Sequence, residues 1–367
     1  MILKKFLSAL LAVFVSLILL SAATPAVWAE DPEAELSGLI DPEAGISDSV
    51  KEAIGGYDGA VEGFGARVLE LLKSTLGQIG ELGLGPGLRT LGTILAAALL
   101  CALLETGTRT KAAVPVVGAL TVGAACLGSF GSMISLGTET IRDLHGYTEL
   151  LLPAMGTLMS LSGSPASAGL SGLGMLLFDL LQSLVSGLLV PMLYLFLGLS
   201  VAESALGLEP FGALRDFVKW LLTTAVKLLM WGYTGILTLT GLVSGAVDAQ
   251  KLRNLRSAIA GMVPVVGSIV SEASSSLLSA ASLLRTASGL YGMLAVLGIS
   301  LEPFFEIAIQ YLLLKLAGAL CGLFGKGSQT PLLEKLTEGM GILLALTGIS
   351  CLCSLMILVL CIRTVNP

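Results

Sequence analysis

Seven ionisable residues stand within or at the ends of long apolar stretches of this chain: Asp179, Lys227, Glu272, Arg285, Glu302, Glu306 and Lys315. A charge in hydrocarbon is costly, so such residues face a bundle interior or a water-filled cavity. The chemistry open to them is relay of protons or ions, or the holding of a charged solute. Glu302 and Glu306 are one helical turn apart and Lys315 lies on the same element, so a polar seam along that element is expected. Asp179, Glu272, Glu306 and Lys315 are the candidate intramembrane polar residues, Asp179 being the most deeply placed. Lys227, Arg285 and Glu302 stand at element ends, where snorkelling to headgroup water is the simpler account.

Catalytic chemistry has little to build on. His145 is the one histidine, and no HExxH, GxSxG, P-loop or GxGD pattern occurs, so histidine metal sites and Ser-His dyads lack their parts. The six cysteines (Cys101, Cys126, Cys321, Cys351, Cys353, Cys361) all lie in apolar stretches and read as small hydrophobes, and Cys351-x-Cys353 lacks zinc-ligand spacing. No enzyme, cofactor or metal site is expected, and no nucleic-acid partner.

A second kind of candidate is conformational. The residues VPVVG occur twice, at Val114 to Gly118 and at Val263 to Gly267, each after a basic cluster (Arg109 and Lys111; Lys251, Arg253 and Arg256). Proline removes a backbone hydrogen bond and glycine loosens the next turn, so Pro115, Gly118, Pro264 and Gly267 are candidates for a functional bend. If both clusters are cytoplasmic, the two elements run parallel and form a degenerate repeat; chance similarity is the competing account.

The elements that must position these residues belong to a membrane. Of 367 residues 54% are hydrophobic and 13% charged, with a mean hydropathy of +0.91, whereas a soluble domain carries about 25% charged residues. Residues 1–29 read as a signal peptide: Lys4 and Lys5, an apolar run from Phe6 to Leu20, then small residues up to Ala29. An uncleaved anchor is the alternative, and either way the next segment is exported. Residues 30–87 form that exported arm, with twelve acidic and three basic residues, in which Asp31-Pro32-Glu33-Ala34 is echoed by Asp41-Pro42-Glu43-Ala44. Beyond Ser47, Ile54, Tyr57, Val61, Phe64, Val68 and Leu71 recur at spacings of three and four, one apolar stripe on a helix. The bilayer interface is disfavoured as its cover, since Lys51, Arg67 and Lys73 are outnumbered by acids, which leaves a partner or this chain's own membrane domain.

Residues 88–367 are then a multi-pass domain, giving an all-α polytopic helical bundle of about seven to nine hydrophobic elements. Leu88 to Leu104 is a first span and Ala112 to Gly137 a second, ending at the polar stretch Glu139 to Glu149. Leu150 to Leu161 is too short to cross about 30 Å of hydrocarbon and reads as a short or re-entrant element. Later elements are Leu170 to Ser200, Leu214 to Lys227, Leu228 to Val247, Ala258 to Leu284, Ser288 to Leu301, Phe304 to Phe324 and Gly339 to Ile362. Counting every element puts Arg109, Lys251 and Arg363 inside and Arg215 and Lys219 outside; a re-entrant Leu150 to Leu161 inverts the later part. The 45 glycines and the Ser/Ala-rich run from Ser268 to Ser288 predict close helix packing, with serines bonding across helices.

From Trp231 to Gly298 the chain resembles the stage III sporulation protein AE family. Gly241, Gly245 and Asp248 at the end of a span, the basic connector at Lys251, and Val263 to Gly267 follow in the family's order. The signal sequence and exported arm agree in layout. The resemblance implies a multi-pass protein of the mother-cell membrane around the forespore, in a transenvelope complex with the other proteins of its operon. These include an ATPase and ring-forming subunits, with a forespore membrane partner. It further implies a channel similar to specialised secretion machines, needed for forespore development after engulfment. An autonomous secondary transporter, using broken helices and buried charges to hold a small solute, is the alternative.

Overall fold

The computed structural model describes residues 42–54 (without 44), 64–82, 84–107, 113–161, 183–229, 266–323 and 329–363, and four single positions at 176, 179, 180 and 231. All of the regular structure among them is helical. The elements are α1 (Asp48–Ile54), α2 (Phe64–Leu82), α3 (Leu84–Gly107), α4 (Ala113–Leu161), a π-helical turn (Val185–Leu189) leading into α5 (Val190–Leu206), α6 (residues 209–229), α7 (Val266–Leu323) and α8 (Gln329–Arg363). Four stretches among the described residues are long and apolar enough to cross a membrane: Val116–Thr157, Val185–Leu206, Ala287–Gly322 and Thr330–Leu355.

Three boundaries expected from the sequence are absent. The polar stretch Glu139 to Glu149 and the short segment Leu150 to Leu161 continue α4 without a break. The reason is periodic: Ile141, Leu144, Tyr147, Thr148, Leu151, Leu152 and Met155 keep one buried face through the polar region. Thr138, Thr140 and Thr148 turn their hydroxyls back onto the carbonyls of Ile134, Leu136 and Leu144, at 2.7 to 2.8 Å. Likewise the described parts of Ala258 to Leu284, Ser288 to Leu301 and Phe304 to Phe324 merge in α7, which carries Pro303 inside it. By contrast α5 ends where expected of a glycine: Gly207 takes φ +67°, and its N–H donates to the Glu203 carbonyl at 2.8 Å.

The long helices alternate in direction. Gln310 of α7 donates to Ser129 Oγ of α4 at 2.7 Å, and a methyl group placed on Gly292 would lie 2.6 Å from Leu151 Cδ2. Rising numbers on α4 therefore meet falling numbers on α7, and the two are antiparallel. A methyl on Gly341 would touch the Tyr311 ring, while Ser300 Oγ lies 3.0 Å from Cys351 Sγ, so α8 is antiparallel to α7 and parallel to α4. With 67% of its apolar window buried, against 38 to 44% for the other three, α8 is the central helix. Its Thr347, Ser350 and Ser354 are fully buried and bond to carbonyls one turn back on α8 itself, not across helices.

Candidate functional site

The two ends of this bundle carry different chemistry. At one end α5 stops at Gly207, α6 turns back beside it, and α8 begins. Glu203, one turn before the end of α5, accepts from Arg215 of α6 and from Lys335 of α8, the latter at 2.9 Å. Arg215 also donates to Asp216 at 2.6 Å, and Lys219 reaches Glu338 at 2.7 Å. The inner trio is largely sequestered: the side chains of Arg215, Lys335 and Glu203 are 14%, 17% and 23% exposed. Three cations face three anions, so charges that hydropathy reads as interruptions are neutralised between helices.

The opposite end is closed by the arm. Tyr147 of α4 is buried and its hydroxyl donates to the Pro42 carbonyl at 3.2 Å. Gly45, at φ +79°, brings the backbone so close that a methyl there would lie 2.6 Å from Leu150 Cδ1. α1 then packs on α7 at Gly298, where a methyl would lie 2.8 Å from Val50 Cγ1 and 3.1 Å from Ile54 Cγ2. The apolar stripe continues through buried Val68 and Leu71 of α2, which also packs against α7. Of the two covers open to the stripe, it is this chain's own domain that meets it at Ile54, Val68 and Leu71. Tyr57 and Val61 lie outside the described residues.

The candidates named from the sequence do not converge. Asp179 has a 75% exposed side chain, with Oδ1 3.7 Å from His145 Nε2; Glu149 Oε2 is 3.9 Å from the same nitrogen. The seam expected along α7 divides, because nine residues from Glu306 to Lys315 are two and a half turns and set them on opposite faces. Lys315 lies over the Tyr311 ring, Nζ 5.7 Å from its centroid. The side chain of Glu272 lies outside the described residues.

Pro115 sits in the first turn of α4, where its missing N–H has no partner to lose, and Gly118 is buried within the continuing helix. The first VPVVG thus lies in the opening turns of a helix. Pro264 lies outside the described residues and Gly267 is in the first turn of α7. Since α4 and α7 are antiparallel, the helices that the two segments open point in opposite directions, which removes the parallel repeat. The clusters Arg109 to Lys111 and Lys251 to Arg256 lie outside the described residues.

Sequence reasoning missed Glu203, Lys335, Glu338 and Gln310. The first three stand about one to two and a half turns inside element ends, the placement that a charge paired between helices takes. Gln310 is 6% exposed, mid-bundle, where only its amide bond to Ser129 accounts for it.

Long antiparallel apolar helices with paired internal charges define a polytopic α-helical membrane protein. A family model described as stage III sporulation protein AE matches residues 71–364, which contain every candidate span, and the chain belongs to that family. It is similar to a stage III sporulation protein AE of Bacillus subtilis (strain 168), 22% identical over 258 residues, which is 68% of this chain and 64% of that relative's length. No solved structure matches.

Proposed function

We propose that this chain is a membrane component of a secretion-like channel complex joining mother cell and forespore, needed for forespore development after engulfment. The observation that carries this is the family match across residues 71–364, which contain all four described candidate spans. Its partners are the other proteins of the stage III sporulation A operon, an ATPase and ring-forming subunits among them, and a protein of the forespore membrane. The chain resides in the mother-cell membrane around the forespore, with the signal peptide removed after Ala29 and the acidic arm outside the cytoplasm. A docked, acidic arm supports this reading, because it presents the bundle to the space between the two membranes. The test is an affinity-tagged copy in sporulating cells of an endospore-forming host, beside a deletion strain. Co-purification of operon proteins and arrest after engulfment are expected. Normal spore yield on deletion, or ion-coupled uptake of a solute by the purified chain alone, would overturn the proposal in favour of an autonomous transporter.

A further inference from the structure

The exposed apolar residues are not spread evenly along the bundle. Leu120 and Leu127 on α4, Leu195 on α5, Trp220 on α6, and Leu312 and Leu316 on α7 are 41 to 61% exposed. All lie in the half that carries the Glu203 cluster. In the other half the apolar residues are covered: α7 is buried from Tyr291 to Leu297, as are Leu352, Leu355 and Leu358 of α8. What α4 exposes there is Glu139, Arg142, Asp143 and Glu149, with Leu150, Pro153 and Thr157 beyond them. Leu69, Leu150, Leu176 and Leu180 are the exceptions. An apolar exterior is what lipid requires; a charged exterior over an apolar interior is what water requires.

The lengths agree with this division. From Val116 to Thr138, α4 has 23 residues, about 34 Å, and from Glu302 to Leu323, α7 has 22, about 33 Å; each is one crossing of a core about 30 Å thick. The two ends lie at one level, since a methyl on Gly137 would meet Ile307 Cδ1 at 3.5 Å and Leu343 Cδ1 at 3.0 Å. Glu139, Arg142 and Asp143 on α4, with Glu302 and Glu306 on α7, thus ring the bundle where the apolar belt stops. Beyond that ring α4 continues for 23 residues and α7 for 36, about 34 and 54 Å.

We propose that the chain stands half out of the bilayer. Lipid acyl chains cover the belt between Glu203 and the charged ring. Past the ring α4, α7 and α8 continue as a helical head, walled by the arm at Pro42, Val50, Ile54 and Val68, in the extracytoplasmic space. The direction rests on the exported arm, and the other end fits the cytoplasm, since Arg215, Lys219 and Lys335 lie there.

The test uses the full chain. Glu149→Cys and Pro153→Cys in the head, and Leu127→Cys and Leu312→Cys in the belt, are treated with a membrane-impermeant maleimide in intact spheroplasts. Head positions are expected to label at least about tenfold faster than belt positions. Among the described native cysteines Cys126, Cys321 and Cys353 are buried and Cys351 is partly exposed, so each variant's labelling is read against the unsubstituted chain as background. In parallel, the Trp28→Phe chain is reconstituted in dibrominated phosphatidylcholine; Trp220 and Trp231, 59% and 82% exposed, are expected to lose at least about half of their fluorescence. Equal protection of head and belt overturns the half-out architecture. Head labelling only after permeabilisation overturns its direction, and unquenched tryptophan shows that protein, not lipid, covers the belt. None of these readouts depends on operon partners, so failure of the complex proposal would leave them unchanged.

Discussion

Replacing Glu203 by glutamine keeps the side-chain shape and removes the charge on which Arg215 and Lys335 converge. Arg215 retains Asp216 at 2.6 Å, whereas the paired anion of Lys335 at 2.9 Å is gone. Truncating one partner of a fully buried pair costs about 3–5 kcal/mol, and an exposed pair is worth about 0.2–1 kcal/mol. With exposures of 14 to 23%, a glutamine oxygen still able to accept, and Asp216 in reserve, about 2 kcal/mol is expected. Adding Lys335→Met removes the stranded cation and should restore roughly half of that loss. Lys219→Met breaks a pair that is 38% and 47% exposed, so solvent screening limits its cost to less than about 0.5 kcal/mol. The assay is SDS titration of the purified full chain with a thiol-reactive dye that fluoresces as buried Cys126, Cys321 and Cys353 are uncovered. Equal, small effects of Glu203→Gln and Lys219→Met would refute the reasoning, because burial would then not be grading these pairs.

Gly298→Leu should lift α1 from α7 at a cost of about 1–3 kcal/mol and make residues 42–54 sensitive to added protease, while Gly128→Leu, with open space beside it, should do neither. Gln310→Leu removes the amide bond that crosses from α7 to Ser129 of α4 and should cost about 1 kcal/mol in the same titration. Pro115→Ala, a first-turn position, should change stability by less than about 0.5 kcal/mol and leave spore yield at the wild-type level.

Helices, their apolar faces and the membrane class were legible because they follow from composition and from periods of three and four. Breaks between helices were less so. Glu139 to Glu149 reads as a loop by polarity, yet its apolar residues stay in phase with those of the flanking segments, and phase decides whether a helix continues. Pro303 shows the same, since tertiary packing on both sides holds α7 together across a local helix breaker. Buried charges were misplaced for a related reason: depth within an apolar run says nothing about which face a residue occupies. Asp179, central in its run, is exposed beside His145, while Glu203, near a run's end, is gripped by two cations. What covers the arm's stripe is a property of the assembled fold, beyond the reach of periodicity.

The claim that the exported arm is a wall of the bundle has a direct test in a single pair of cysteines. Val50 Cγ1 lies 2.8 Å from where a Cβ on Gly298 would stand, within the reach of a disulfide between Val50→Cys and Gly298→Cys. An impermeant oxidant added to intact spheroplasts that express the full chain should form that bond within one chain, without lysis. Absence of the bond, or its formation only between chains, would contradict the account.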